Sequence, residues 1–282
     1  GHEWVKRLFI DRDYRGSEKG EDYTFIPARV YDNQALMGQD PGYVAMLENL
    51  PEDLRRAWLE GDWNVFAGQF FTEWREDVHI CEPFAIPGHW RRYFAMDYGL
   101  DMLAGYFIAL DEKGRAWVYR EIYQSDLVIS EAARAILESA EGEPIESWLA
   151  PPDMWNRRQD TGKSVAEIFA EHGIPLTRAQ NDRVTGWLDM KEWLKPQGEE
   201  TRWAALTVFR NCKNLIRCIP LLQFDERKPN DVANQPHEIT HAPDAIRYFV
   251  AGRPVPALAP VVRDEDDLPF DDQIGEFLQY GG

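Results

Sequence analysis

The chain has 282 residues, a hydrophobic content of 44% with 11 tryptophans, and a formal net charge of −18 at pH 7. This composition excludes an intrinsically disordered chain, and the length allows one large domain or one domain with appendages. No apolar run approaches the roughly 18 residues of a membrane helix, and no signal-peptide pattern opens the chain. The sequence therefore predicts a soluble, intracellular protein.

The charged residues are distributed unevenly along the chain, which bears on whether it can bind nucleic acid. A strongly negative chain argues against a nucleic-acid partner. Acidic residues are concentrated after residue 263, however, whereas basic residues gather in the middle of the chain. These are Arg157, Arg158, Lys163, Arg178, Arg183, Lys191, Lys195, Arg202, Arg210, Lys213 and Arg217. The acidic total therefore does not exclude a local basic surface on this protein.

The three cysteines, Cys81, Cys212 and Cys218, have neither CxxC spacing nor a clustered histidine. The sequence therefore predicts no disulfide framework and no zinc site, and a reducing compartment fits best. We expect that oxygen atoms hold any metal.

The front of the chain carries little regular pattern. Residues 24–30 read as a short strand, and residues 41–61 read as a helix because apolar residues recur there at three- to four-residue spacing. This region is predicted as an appendage or linker that leads into a main domain beginning near residue 70; the alternative is that it forms part of that domain's core.

Residues 91–123 predict an antiparallel meander of three strands. The first strand is a buried apolar run that ends on Asp97, because Tyr98-Gly99 interrupts it. The second spans residues 104–110, and a hairpin turn connects it to the third at residues 116–123. Asp97 is therefore expected at a strand tip.

Helices and strands alternate after the meander. The patterns predict helices over residues 130–140, 164–172, 183–194, 211–222 and 242–251, with strands at 145–150, 174–177 and 204–209. Such alternation is typical of an α/β domain with parallel strands. Residues 254–282, rich in proline and acids, are predicted to form a mobile tail.

Three carboxylates fall at the ends of predicted elements. Asp97 closes the first strand, Asp153 follows the strand at 145–150, and Asp244 lies in the first turn of the last helix. If the two strands run parallel side by side, both carboxylates emerge at one sheet edge, where a packed helix can supply the third. Such a cluster can hold Mg²⁺ or Mn²⁺ for phosphodiester hydrolysis. Each residue also has a purely structural alternative: Asp97 as a turn residue, Asp153 as a loop residue and Asp244 as a residue that favours a helix start.

Four segments carry a resemblance to a known family. FAMDYG at 94–99, APPDMW at 150–155, NDRVTGW at 181–187 and HAPDAIRY at 241–248 resemble the nuclease domain of the large terminase subunit of tailed bacteriophages. The resemblance implies an α/β, ribonuclease H-like fold: a central mixed sheet, antiparallel meander first and parallel strands next, flanked by helices. It also implies an endonuclease that cuts concatemeric double-stranded viral DNA with two divalent cations, Mg²⁺ or Mn²⁺.

The resemblance implies that Asp97, Asp153 and Asp244 are the catalytic, metal-binding triad. Many family members have Asp-Pro directly after the strand that corresponds to residues 145–150. This chain has Pro151-Pro152 there, so its carboxylate comes two positions later. Glu121, at the end of the third strand, is a fallback ligand or else a residue of the sheet face.

Four further residues are auxiliary candidates. His241 could orient a ligand or water, or act only as a cap or packing group. Lys163, Arg178 and Arg183 could contact the DNA backbone, or lie on a solvated surface.

The front segment extends the resemblance. HEWVK at 2–6, FIPAR at 25–29, YDN at 31–33 and LEGDW at 59–63 are similar to the end of the terminase packaging ATPase and its linker, so residues 1–70 are predicted as that part. Residues 71–253 are then the nuclease domain, and residues 254–282 an acidic flexible tail. Gly162-Lys163-Ser164 imitates a phosphate loop, but that motif requires glycine where this chain has Arg157. No ATPase motor motif is therefore predicted.

The resemblance implies double-stranded DNA, the small terminase subunit and the portal protein as partners, with no membrane, in the host cell cytoplasm. Two alternatives stay open. One is a non-catalytic DNA-packaging or docking module whose acids are structural. The other is a different ribonuclease H-like enzyme, such as a junction resolvase or transposase.

Overall fold

The computed structural model of the chain describes residues 3–39, 42–50, 52–61, 63, 68–99, 101–157, 159, 162–198, 202–225, 227–228 and 230–253. The acidic tail predicted at residues 254–282 lies outside this range. Within the described ranges, no helix is both long enough and apolar enough to cross a membrane.

The described residues form seven strands and ten α-helices, joined by short 3₁₀ turns and a π-helical turn at Lys6–Ile10. The strands are β1 (Ile80–Cys81), β2 (Arg91–Tyr98), β3 (Leu103–Leu110), β4 (Ala116–Gln124), β5 (Ile145–Ala150), β6 (Leu176–Arg178) and β7 (Leu206–Phe209). The helices are α1 (Glu3–Val5), α2 (Gln34–Gln39), α3 (Gly42–Glu48), α4 (Glu52–Trp58), α5 (Glu76–His79), α6 (Ile129–Ala140), α7 (Val165–Glu171), α8 (Arg183–Leu194), α9 (Lys213–Cys218) and α10 (His241–Val250).

All seven strands belong to one mixed sheet, in the order β1-β7-β4-β3-β2-β5-β6. The strands β2, β3 and β4 form the predicted antiparallel meander. The strand β5 runs parallel beside β2, β6 runs parallel to β5, and β7 runs parallel to β4 and β1. Every strand except β3 therefore points the same way, and we call the edge where these six strands end the carboxyl edge.

Strand side chains alternate between the two faces of the sheet, and α10 packs against β2 and β3 while α6 packs against β3 and β4. Tyr93 of β2 packs against Phe249 of α10 on one face. Its neighbour Phe94 points the other way and packs against Phe107 and Trp148. All residues of β3 and α10 are buried. The central sheet flanked by helices is thus confirmed.

The front of the chain differs from its prediction in two ways. Residues 24–30 form no strand, and none of the described strands pairs with them. The helix predicted over residues 41–61 is divided into α3 and α4, in keeping with a proline at position 51 that has no N–H to donate. Val44 and Leu47 of α3 and Leu59, directly after α4, are buried in a small cluster of their own. The domain boundaries remain a prediction.

Candidate active site

A hydrogen bond connects the end of β2 to the start of α10. Asp97 lies on the face of β2 that α10 covers, four residues beyond Tyr93. Its Oδ2 is 2.8 Å from Nδ1 of His241, in the first turn of α10. The imidazole is almost fully buried, whereas the Asp97 carboxylate stays 21% exposed. Asp97 is therefore held by His241 and keeps an open side toward solvent.

One face of α10 carries the second candidate carboxylate. His241, Asp244 and Tyr248 stand at positions i, i+3 and i+7, so their side chains lie on one side of the helix. Because His241 contacts Asp97, this side of the helix meets the end of β2. Asp244 is buried one turn further along.

Two arginines neutralise the buried carboxylate of Asp244. Its Oδ1 accepts from Nε of Arg247 at 2.9 Å, and the second guanidinium nitrogen of Arg247 is 2.7 Å away. Its Oδ2 lies 3.5 Å from Arg183. Burial raises the pKa of Asp244 and the charge of Asp97 raises it further, against the opposing charges of Arg247 and Arg183. Asp97 and Asp244 are therefore close enough to repel each other electrostatically.

The third candidate comes after β5 at the carboxyl edge. Ala95 of β2 is in register with Leu149 of β5, and the chain then enters a 3₁₀ turn, Pro152–Trp155, that exposes Asp153. Asp153 thus leaves the sheet beside the strand that carries Asp97 near its end.

The hydroxyl of Tyr248 reports on all three carboxylates. Burial raises its pKa first, and the negative charges of Asp244, Asp97 and Asp153 raise it further, in that order. Charges act in this way only over short distances. Asp244, Asp97 and Asp153 are thus all acidic residues whose charges act on this one hydroxyl.

Close packing of two helices holds Arg247 in place. Arg247 is only 1% exposed, and its guanidinium lies 5.0 Å from the ring centre of Trp187 in α8. A Cβ atom at Gly186 would come within 2.8 Å of Cγ of Arg247. A glycine at 186 therefore lets α8 approach α10 closely enough to clamp the arginine that pairs with Asp244.

A second cluster adjoins Asp97 and was not predicted from the sequence. The other ring nitrogen of His241, Nε2, is 3.2 Å from Oδ2 of Asp101, and the same oxygen is 3.2 Å from Nδ1 of His237. The ligand atoms of these three residues all lie within 4.8 Å of one another. The i, i+4 spacing of the two histidines was the available signal.

Glu121, predicted as a fallback ligand or else a residue of the sheet face, contacts the start of α9. Its carboxylate accepts hydrogen bonds from the backbone N–H groups of Asn214 and Leu215, at 3.1 and 2.9 Å, and from the side-chain amide of Asn214. Glu121 thus caps the start of α9, and we leave it out of the candidate site.

The predicted DNA-contacting residues are placed differently from one another. Arg178 ends β6 at the carboxyl edge, where its guanidinium lies 5.1 Å from the ring centre of Trp155. Lys163 is on the surface and pairs with Glu171. Arg183 faces inward, toward Asp231 and Asp244. Among these three, Arg178 and Lys163 are exposed enough to meet a ligand from solvent.

The Gly162-Lys163-Ser164 segment acts as a helix start. Oγ of Ser164 accepts from the backbone N–H of Glu167, whose carboxylate accepts from the N–H of Ser164 in return. This reciprocal capping of α7 uses the serine hydroxyl that a phosphate loop would leave for its ligand.

Comparisons with known proteins identify the fold. No protein-family model matches the chain, and no curated protein sequence matches it. Among solved structures, the nuclease domain of the bacteriophage P22 large terminase is 19% identical, with a TM-score of 0.51 over 66% of this chain and 92% of that domain.

The large terminase of a thermophilic bacteriophage, solved in complex with ADP, is 18% identical, with a TM-score of 0.55 over 90% of this chain. The match covers 60% of that terminase, so this chain corresponds to part of its length. The predicted fold is thereby confirmed: the chain has the ribonuclease H-like fold of large terminase nuclease domains.

Proposed function

We propose that the chain is a divalent-metal-dependent endonuclease that cleaves double-stranded DNA as the nuclease part of a phage large terminase. Asp97, Asp153 and Asp244 are its proposed metal ligands. The observation that supports the proposal is geometric: β5, which leads to Asp153, runs parallel beside β2, which carries Asp97, and His241 joins Asp97 to α10, which carries Asp244. Ligand sites in α/β sheets form beyond the carboxyl ends of parallel strands, where Asp97 and Asp153 lie.

The residues present fit a hard divalent cation. Carboxylate oxygens are the donors that Mg²⁺ and Mn²⁺ prefer, and Asp153 and the open side of Asp97 are accessible from solvent. The Asp244 oxygen with the looser contact is Oδ2, which lies 3.5 Å from Arg183, while Arg247 holds Oδ1. Two such cations would supply activation of the attacking water and stabilisation of the leaving oxygen.

The protein's own residues orient this group. His241 fixes the rotamer of Asp97 through the 2.8 Å hydrogen bond. Arg247 fixes Asp244 and offsets part of its charge before any cation binds. These two ligands are thus held on a strand and a helix, which preserves their geometry better than mobile loops do.

Contacts with the DNA backbone are proposed for Arg178, and for Lys163 when it leaves Glu171. Neither belongs to a base-reading motif, and phosphate contacts position DNA without reading its sequence. By resemblance, we further propose concatemeric viral DNA as the substrate, the small terminase subunit and portal protein as partners, and the host cell cytoplasm as the location. Residues 1–70 are proposed as the end of a packaging ATPase and its linker.

Nicking of a supercoiled plasmid in Mn²⁺ or Mg²⁺ tests the activity. We expect the wild-type chain to nick the plasmid and Asp97→Asn to lose the activity, because the amide keeps the hydrogen bond to His241 but not the charge that binds a cation. Glu112→Gln is the matched control. Glu112 also pairs with a histidine, His89, at 2.6 Å, but in the turn after β3 at the opposite sheet edge.

Nicking by Asp97→Asn at the wild-type rate, or by neither protein, would favour the non-catalytic docking module. Cutting confined to branched DNA would instead favour the junction resolvase.

A further inference from the structure

We propose that Asp101, His237 and His241 form a second metal site, of nitrogen-rich character, that binds a zinc-class transition ion beside the carboxylate group. The proposal does not depend on nuclease activity. It concerns residues outside the proposed triad and a different class of metal ion. It also revises the expectation that oxygen atoms alone hold any metal in this chain.

The spacing of the donor atoms suits a small tetrahedral ion. Zinc bonds to nitrogen and oxygen ligands at about 2.0–2.1 Å, so neighbouring ligand atoms in a tetrahedral site lie about 3.3 Å apart. Oδ2 of Asp101 is 3.2 Å from both imidazole nitrogens. The side chain of His237 is 59% exposed, which leaves it free to rotate and close the remaining edge. A water can complete the fourth position.

The surroundings of His241 match those of a metal-bound imidazole. A ligating histidine generally donates its other ring N–H to a carboxylate, which fixes the tautomer and the ring orientation. Here Nδ1 of His241 faces Oδ2 of Asp97 at 2.8 Å. Nε2 faces Oδ2 of Asp101 at 3.2 Å, and in the tautomer with the proton on Nδ1 it is the lone-pair nitrogen that a metal needs.

The backbone brings Asp101 to this position. The turn between β2 and β3 closes through the N–H of Gly99 and the carbonyl of Met102, at 2.9 Å. A Cβ atom at position 99 would come within 2.5 Å of Oδ1 of Asp101. Glycine at 99 thus leaves room for the Asp101 carboxylate in its present position, from which a Cβ would displace it.

The donor set distinguishes this site from the proposed triad. Two imidazoles and one carboxylate favour zinc, cobalt or nickel, whereas Mg²⁺ takes oxygen ligands and retains its waters. In excess Mg²⁺, Zn²⁺ should therefore enter the histidine site selectively. Since Asp97 contacts His241, the two sites share one hydrogen bond.

Isothermal titration of Zn²⁺ into the full chain in excess Mg²⁺ tests the proposal. We expect one ion per chain, with affinity reduced about tenfold or more in His237→Ala. The control His89→Ala, which removes a histidine paired with Glu112, should bind as the wild type does. Nitrogen-15 NMR of the imidazoles provides a second readout, and the signals of His237 and His241 should shift together on Zn²⁺ addition.

His237 and Asp101 are surface residues, so their variants should keep the wild-type melting temperature. Wild-type Zn²⁺ affinity in His237→Ala would overturn the proposal, as would the absence of binding in the wild type. A loss caused by Asp153→Asn but not by His237→Ala would place the ion among the carboxylates and overturn it equally.

Discussion

Nδ1 of His241 lies 2.8 Å from Oδ2 of Asp97, and this contact joins the start of α10 to the end of β2. Because the helix period then fixes the direction of the later side chains, Asp244 and Tyr248 turn toward the same end of the sheet. The register of α10 thus connects the sheet carboxylates to the helix carboxylate.

Replacement of Arg247 by methionine should destabilise the fold strongly. Asp244 would lose the guanidinium that holds its Oδ1, and removal of one partner from a buried ion pair costs about 3–5 kcal/mol. Arg183→Met is the matched comparison: Arg183 is 28% exposed and 3.5 Å from Oδ2, against 1% and 2.7 Å for Arg247, so its loss should cost less. Urea denaturation at pH 7 measures both. Equal losses in the two variants would contradict the proposed role of Arg247.

A methyl group at Gly186 should disturb the same arginine from the side of α8. Alanine is a better helix former than glycine by about 1 kcal/mol, but its Cβ would lie 2.8 Å from Cγ of Arg247. Overpacking of this kind costs about 1–3 kcal/mol, so Gly186→Ala should be destabilising. At Gly38 in α2 a Cβ meets no atom within 4 Å, and Gly38→Ala should be stabilising. Thermal unfolding of both variants checks the opposite signs.

Glu121→Ala should separate a capping role from a metal-binding role. The variant loses the acceptors for the N–H groups of Asn214 and Leu215, and loss of a helix cap costs about 1 kcal/mol. Metal-dependent nicking by the folded protein should be unchanged. If nicking were abolished while the protein stayed folded, Glu121 would have to be counted among the metal ligands again.

Acidification should destabilise the protein through His79. This imidazole is fully buried against Trp74, accepts from the N–H of Arg75 at 2.9 Å and donates to the carbonyl of Leu194 at 2.7 Å. Burial lowers its pKa, against weaker opposing effects from its hydrogen bonds. The unfolded chain therefore takes up a proton more readily, so this stability is complete above the ordinary pKa of 6.5 and falls with pH below it.

Urea denaturation between pH 7.5 and pH 5 measures this effect in the wild type and in His79→Gln. We expect the free energy of unfolding to fall more steeply with acidification in the wild type, by up to about 1.4 kcal/mol per pH unit. Parallel curves would show that His79 does not titrate in this way.

The meander was predictable from the sequence because its strands are consecutive and their turns are local. Asp97 was placed at a strand tip by the Tyr98-Gly99 break, and the structure confirms that β2 ends at Tyr98. The side-by-side position of β7, β1 and β4 was not predictable. That pairing joins Ile80 to Val208 and Ala116 to Leu206 across long stretches of chain, and periodicity carries no information on such partners.

The candidate site, too, was predictable from the sequence only in part. Order along the chain predicted which carboxylates come after strands, and the parallel pairing of β5 with β2 agrees with the condition set for Asp97 and Asp153. The partners of Asp244 needed coordinates, because Arg183 reaches it from another helix. The strand expected at residues 24–30 failed because local β-pattern is insufficient where no described strand supplies hydrogen bonds.

The central claim is that Asp97, Asp153 and Asp244 hold divalent cations together. Anomalous diffraction from crystals soaked in Mn²⁺ measures this most directly, because it locates the ions and their ligands without reference to activity. We expect peaks within metal–oxygen bonding distance of Asp97, with Asp153 and Asp244 completing the coordination. Peaks that lie only elsewhere, or the absence of any Mn²⁺ at this end of α10, would contradict the claim.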